Sequence, residues 1–414
     1  MHRAPLTSGR AALALALLLG LQPLTTDLYL PALPMLTQAL GASLAATQLT
    51  MSGLILSFGL AQLAWGPIAD RVGRRPVLLA GLSLYVLAGL ACTVAPNIGV
   101  LILGRCLQGA CLAAAVVCAR AMARDLYEPQ QGAQVMSRAM SGLGVIAILA
   151  PVTGGALAGG AGWRAALGAV TVVGIAVGLF VAFGVPESLR SRNPQALKLG
   201  PLKAQAAQVL RHPTFVAWTA LSSATYGGLF TLLAGSSFVY IGVLGLSPAA
   251  YGLAMASGSA SYLLGTLACR RWLAQVGLRH AVRRGAGFTL AGGLSMALLA
   301  LAGVQSPWAL VLPQALYAFG HGIHQPCGQT GAVGPFPQAA GVAAALAGCV
   351  LAFVAFLVGL WLGQALNDTV LPMALGVGAW SVATAAVAWT LVQRHGEPRP
   401  AATLVMPDPA GDVA

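Results

Sequence analysis

Two charged side chains stand inside long apolar runs: Asp27, in LLLGLQPLTTDLYLPALP, and Arg105, in IGVLILGRCLQGACL. A charge buried in an apolar membrane helix costs roughly 2.5 to 3.5 kcal/mol, so each asks for a reason. Their chemistry differs: a carboxylate takes up and releases a proton, whereas a guanidinium stays charged. At about 1.5 Å per residue, Asp27 lies about 24 Å along a span that begins at Ala11, in an apolar layer about 30 Å thick. Arg105 lies about 12 Å beyond Asn97, entering from the opposite edge. The two depths allow an acid and a base to face one cavity, the acid carrying a proton and the arginine keeping it poised. Plainer readings stand beside this one. Asp27 could cap a helix end at the membrane surface before Pro31 and Pro34, and Arg105 could belong to a structural ion pair.

The elements that hold these residues follow from composition. The 414 residues are 58% hydrophobic and 7% charged, with mean hydropathy +0.81, against about 25% charged residues in a soluble domain. The net charge of +13 does not indicate a nucleic-acid binder. Such a protein clusters basic residues on a polar face, whereas here they fall in short gaps between apolar runs. Reading for stretches of about 20 apolar residues gives twelve spans, beginning near Ala11, Thr47, Pro76, Ile98, Gln134, Trp163, Thr214, Pro248, Val282, Trp308, Ala339 and Asp368. Arg3 and Arg10 precede the first, which resembles a signal peptide but has no small-residue cleavage site before Asp27, so it is expected to stay.

Lys and Arg alternate between the gaps. Arg71, Arg74 and Arg75 follow the second span, Arg120, Arg124 and Arg138 the fourth. Arg190, Arg192, Lys198, Lys203 and Arg211 fill the central gap; Arg270, Arg271, Arg279, Arg283 and Arg284 follow the eighth span; Arg394 and Arg399 follow the last. The alternate gaps hold only Arg164. By the positive-inside rule both termini are cytoplasmic. The long polar interval from Pro186 to Pro213 divides the spans six and six. The expected organisation is a six-helix half over 1–186, a central cytoplasmic loop over 187–212 with an amphipathic helix from Leu197 to Leu210, a second six-helix half over 213–396, and a disordered cytoplasmic tail over 397–414.

The stretch WGPIADRVGRRPVLL, Trp65 to Leu79, joins the second and third spans. Glycines at 66 and 73 are expected where a side chain would block a tight turn. The spacing Gly66, Asp70, Arg71, Gly73, Arg74, Arg75 resembles the loop signature of the major facilitator superfamily. Asp27 to Pro34, DLYLPALP, resembles the first-helix signature of the bicyclomycin and chloramphenicol resistance (Bcr/CflA) branch of its drug:proton antiporters. Leu101, Arg105, Gln108 and Gly109 are similar to the fourth-helix element of the same group. Ala150 to Gly155, APVTGG, resembles the fifth-helix antiporter element, with Ala150 in place of its first glycine.

The resemblance implies an all-α membrane protein of twelve transmembrane helices in two halves. It assigns proton coupling to Asp27 and Arg105, and a conformational gate to the loop together with Asp125, which Arg74 is placed to meet. Asp70 is implied to dock near the eleventh helix in the outward-facing state. The implied exporter element is Pro151, Gly154 and Gly155. Tyr29, Gln108, Tyr226, Phe230, Tyr317, His321 and His324 are candidates for the substrate cavity. His321, His324 and Cys327 recur every three residues, but three ligands on one helix seldom close a metal sphere. Seven cysteines without a C-x-x-C pair read as small core side chains.

The expected function is proton-coupled efflux of small hydrophobic antibiotics across the inner membrane, by a monomer whose partners are drugs, protons and lipid. No nucleic acid, cofactor, metal or catalytic residue is expected. The alternative is a proton-coupled uptake symporter for a small metabolite on the same fold. A membrane enzyme is disfavoured, because no phosphate loop, H-E-x-x-H or G-x-S-x-G element occurs.

Overall fold

Apolar runs of this length leave the backbone no partner but itself, so the chain satisfies its N–H and C=O groups within helices. The computed structural model describes residues 8–397 apart from Arg190 and Gln195. Arg3, Arg190, Arg399 and the tail beyond Glu397 therefore lie outside the described residues.

The first helix, α1 (Ser8–Asp27), stops at the DLYLPALP stretch, where Pro31 and Pro34 interrupt the hydrogen-bond ladder. A 3-10 turn over Leu30–Ala32 and the short α2 (Leu33–Ala39) continue its path. Asp27 consequently lies inside a 31-residue apolar stretch, Gly9–Ala39, rather than at its end. There follow α3 (Leu44–Val72), α4 (Arg74–Thr93), α5 (Ile98–Leu126), α6 (Pro129–Ala161) and α7 (Trp163–Gly184). The starts of α3 and α5 are fixed by side-chain caps: Ser43 accepts from the Ala46 amide at 3.2 Å and Asn97 from the Val100 amide at 3.0 Å.

The polar interval forms α8 (Leu199–Arg211), close to the expected amphipathic helix. Val209 is buried and Leu202 half-buried, while Lys203 and Arg211 are exposed. The remainder comprises α9 (Pro213–Ser237), α10 (Pro248–Leu301), α11 (Trp308–Val333), α12 (Ala340–Ala365), α13 (Leu371–Trp389) and α14 (Leu391–His395).

Among the described residues, ten stretches are long and apolar enough to cross a membrane, where the sequence reading expected twelve. Two features account for the difference. At 54 residues α10 is more than twice a span, and Gly277 breaks it with φ 74° and ψ 174°, a left-handed conformation that suits glycine. Helix α11 has 26 residues but carries Gln314, His321, His324 and Gln325, which lower its apolarity.

Packing connects α1 with α5 and α6, α3 and α4 with α5, and α4 with α7. Farther along the chain α10 packs on α11 and α13, and α9 on α11, α12 and α13. Two long seams join these groups, α3 with α12 and α6 with α10. Small residues allow the close approach. A methyl added to Gly59 would meet the Ala352 side chain, and one added to Gly252 the Pro151 carbonyl at 2.5 Å.

Candidate functional site

Between the two groups of helices lies a cavity of about 200 Å³. Helix α1 contributes Gln22, Pro23, Thr26 and Asp27; α3 contributes Met51 and Ile55; α6 contributes Leu143 and Ala147. The facing wall comes from α9 (Tyr226, Leu229, Phe230, Leu232, Leu233), α10 (Met255, Gly258, Ser259, Tyr262) and α11 (Gln314, Tyr317, Ala318, His321, Gln325). This is a mostly apolar pocket with a few placed polar groups, the usual form of a small-molecule site. Asp27 is its one carboxylate. The Thr26 hydroxyl donates to Asp27 Oδ1 at 2.8 Å, which orients the carboxyl.

Arg105 is not in the cavity wall. It is fully buried, and its terminal nitrogens donate to Gln108 Oε1 at 2.8 Å and to the Thr25 carbonyl at 3.1 Å. The guanidinium lies 4.4 Å over the Tyr29 ring, an attractive cation–π arrangement. No ion pair joins Asp27 and Arg105 among the described residues. The helical repeat explains the separation. Arg105 reaches α1 at the Thr25 backbone carbonyl, while the Thr25 side chain meets Tyr85 at 2.6 Å and Asp27, about 200° around the helix from it, lines the cavity. Tyr29 is likewise packed away, its hydroxyl 2.8 Å from Thr50 Oγ1.

The fifth-helix element seats α6 on its neighbours. A methyl on Gly154 would meet the Leu28 carbonyl, next to Asp27, and one on Gly155 would meet the Pro248 carbonyl. Backbone contact at both places leaves no room for any side chain but hydrogen. Pro151 sits within the helix, which continues through it.

At the junction of α3 and α4 the charged residues form a connected cluster. Arg74, buried, pairs with Asp70 at 2.6 Å and with Asp125 at 3.0 Å. Glu187, which the sequence reading did not single out, accepts from the Arg74 amide at 2.9 Å and the Arg75 amide at 3.1 Å. It thereby satisfies the free N–H groups at the start of α4, where a carboxylate is favoured by the helix dipole. The Arg75 side chain donates to the Val185 and Ala182 carbonyls at 3.0 and 2.8 Å. Gly73 makes the turn with φ 121°, and a methyl there would come 2.6 Å from Glu187 Oε2. Gly66 departs from expectation. It lies within α3 rather than in the turn and has open space where a side chain would go. Arg71 is exposed, and the Asp70 carboxylate is engaged by Arg74.

A sequence profile described as Major Facilitator Superfamily matches residues 15–360. The chain belongs to the major facilitator superfamily. Within the superfamily it is 31% identical to multidrug resistance protein D of Escherichia coli over 348 residues, 81% of this chain and 84% of that one. It is 26% identical to a bicyclomycin resistance protein homolog of Haemophilus influenzae over 383 residues, covering 92% and 96% of the two chains. It is 28% identical to a chloramphenicol resistance protein of Pseudomonas aeruginosa over 335 residues, covering 80% and 78%. These relatives bear out the branch that DLYLPALP pointed to, and they make the protein a multi-pass membrane transporter rather than an enzyme.

With the superfamily established, the remaining candidates can be located. Tyr226, Phe230, Tyr317 and His321 line the cavity. Tyr29, Gln108 and His324 are not among its lining residues: the first two pack around Arg105, and His324 Nε2 lies 3.2 Å from the Val282 carbonyl. Cys327 faces another partner, its sulfur 3.5 Å from Cys269 Sγ. Gln22, Gln314, Gln325 and Tyr262 are cavity residues that sequence reading missed. Their signal was only the presence of polar groups within apolar runs.

Proposed function

We propose that this protein exports small hydrophobic drugs across the inner membrane in exchange for protons. The observation that carries the reading is the single carboxylate, Asp27, on the wall of an otherwise apolar cavity lined from both groups of helices. A carboxyl held there is available to a proton and to a bound drug, but not fully to both, and that competition is the coupling. Arg105 fixes the end of α1 through the Thr25 carbonyl, two residues before the acid. In this reading the chain makes twelve spans in two six-helix halves, over 1–186 and 213–396, with both termini cytoplasmic. The two arms of α10 count separately and α11 is a span despite its polar residues. The names of the relatives support drugs as the cargo.

The deciding experiment uses inside-out vesicles containing the protein, with a hydrophobic fluorescent drug outside and an acidic lumen. Accumulation that rises with the pH difference and collapses with a protonophore is expected. Accumulation driven only by the opposite gradient would instead make the protein an uptake symporter.

The cluster at the start of α4 is read as the gate that opens and closes the cytoplasmic side. In this reading the Asp70 carboxylate leaves Arg74 to dock near α12 in the outward-facing state, while Asp125 and Glu187 hold the turn. Asp70→Asn should therefore insert normally, because Arg74 keeps Asp125, yet transport several-fold more slowly. Full transport rates in correctly inserted Asp70→Asn would remove Asp70 from the gate.

A further inference from the structure

We infer that His321 is held in the tautomer that carries its hydrogen on Nε2. It thereby presents a fixed hydrogen-bond donor to the cavity and selects aromatic substrates that bear a carbonyl or similar acceptor. The inference rests on reading the cavity as the substrate site, but not on the direction of transport.

The argument begins at Thr225, fully buried on α9, whose Oγ1 lies 3.1 Å from His321 Nδ1. A threonine hydroxyl has one hydrogen to donate, and a neutral imidazole has one donor nitrogen and one acceptor nitrogen. If Nδ1 carried the hydrogen, it would donate to Oγ1. The threonine's own hydrogen would then need a different acceptor, and the described residues give Oγ1 none besides Nδ1. A buried hydroxyl hydrogen left without an acceptor is costly. The satisfied arrangement has the Thr225 hydroxyl donating to Nδ1, which leaves the hydrogen on Nε2.

Two further contacts hold the ring in place. The Tyr317 hydroxyl donates to the Thr225 carbonyl at 2.8 Å, tying α11 to α9 at this level. The Tyr262 ring lies 5.6 Å from the imidazole at an interplanar angle of 37°, pinning it from α10. His321 lines the cavity, and its Nε2 has no partner among the described residues. One turn along, His324 shows the contrast: its Nε2 faces the Val282 carbonyl, so it has no donor to offer a ligand.

The surroundings define the ligand. Tyr226, Phe230 and Tyr262 supply flat apolar surface, and His321 supplies the donor at its edge. An aromatic molecule with an acceptor on its rim satisfies both; one without leaves a desolvated donor unpaired. Thr225 acts through His321 and is a positioning residue.

The test uses purified protein in nanodiscs and two probes that share a planar ring system and differ in one acceptor, 9-fluorenone and fluorene. Binding is read by tryptophan quenching and corrected for uptake into protein-free nanodiscs. The expected result is about fivefold tighter binding of the ketone, lost in His321→Leu and partly kept in His321→Gln, which retains an N–H near the Nε2 position. Thr225→Val should lose the preference and Thr225→Ser should restore it, at unchanged affinity for fluorene. That pattern distinguishes positioning from a general packing defect. Equal affinity for the two probes in the unaltered protein, or a preference that persists in His321→Leu, overturns the inference. A preference of the expected size without export in the vesicle assay would overturn the export reading alone.

Discussion

Asp27→Asn is expected to abolish uphill drug accumulation in inside-out vesicles while leaving the protein folded and able to bind drug. The carboxamide matches the carboxyl in size and still accepts from the Thr26 hydroxyl, so the local packing of α1 survives. What it loses is the capacity to be charged in one step of the cycle and neutral in the next. For one proton exchanged per drug, a pH difference of one unit supplies about 1.4 kcal/mol, a concentration ratio of about tenfold. The unaltered protein should approach that ratio, and Asp27→Asn should level off near one. Asp27→Glu, which keeps a titratable group one methylene farther out, should retain part of the ratio. Undiminished accumulation in Asp27→Asn would assign the proton to another residue. Gln22, Gln314 and Gln325, the neutral amides of the cavity, offer no replacement.

The experiment also bears on why some features were readable from the chain and others were not. Apolar runs and their punctuation are local, so helix positions came through: Ile98, Trp163, Pro248 and Trp308 begin helices where the sequence suggested. The Arg74 to Asp125 pair followed from two charged residues at the ends of neighbouring spans. Glu187 did not, because nothing in its own stretch says that the start of α4, over a hundred residues earlier, lacks partners for its amides. The azimuth of each helix was the larger loss. In a soluble protein the polar face reveals which side turns inward, but in lipid both sides are apolar and that signal vanishes. Rise per residue gave Asp27 and Arg105 comparable depths and could not show that of the two only Asp27 lines the cavity. The same blindness put Tyr29, Gln108 and His324 on the cavity list and left Tyr262 and Gln325 off it.

Arg105→Leu is expected to lower thermal stability only moderately and to stop transport. The arginine is fully buried, and its charge is met by a carbonyl, a carboxamide and the face of a tyrosine, with no carboxylate in ion-pair range among the described residues. Its Nε has no partner. Removing the guanidinium relieves a desolvated charge that dipoles and a ring compensate only in part, but it leaves Gln108 Oε1 and the Thr25 carbonyl without this donor, at about 1 to 3 kcal/mol for each buried acceptor. In the proposed cycle Arg105 acts by fixing the end of α1 through the Thr25 carbonyl, so that Asp27 faces the cavity in both of its protonation states. Arg105→Lys should fail almost as completely, since an ammonium cannot span the Thr25 carbonyl, Gln108 Oε1 and the Tyr29 face at once. Both variants are to be compared in vesicles by pH-driven accumulation and in detergent by melting temperature. A large drop in melting temperature in Arg105→Leu would make the arginine a structural tie, and transport retained in that variant would separate it from the proton cycle.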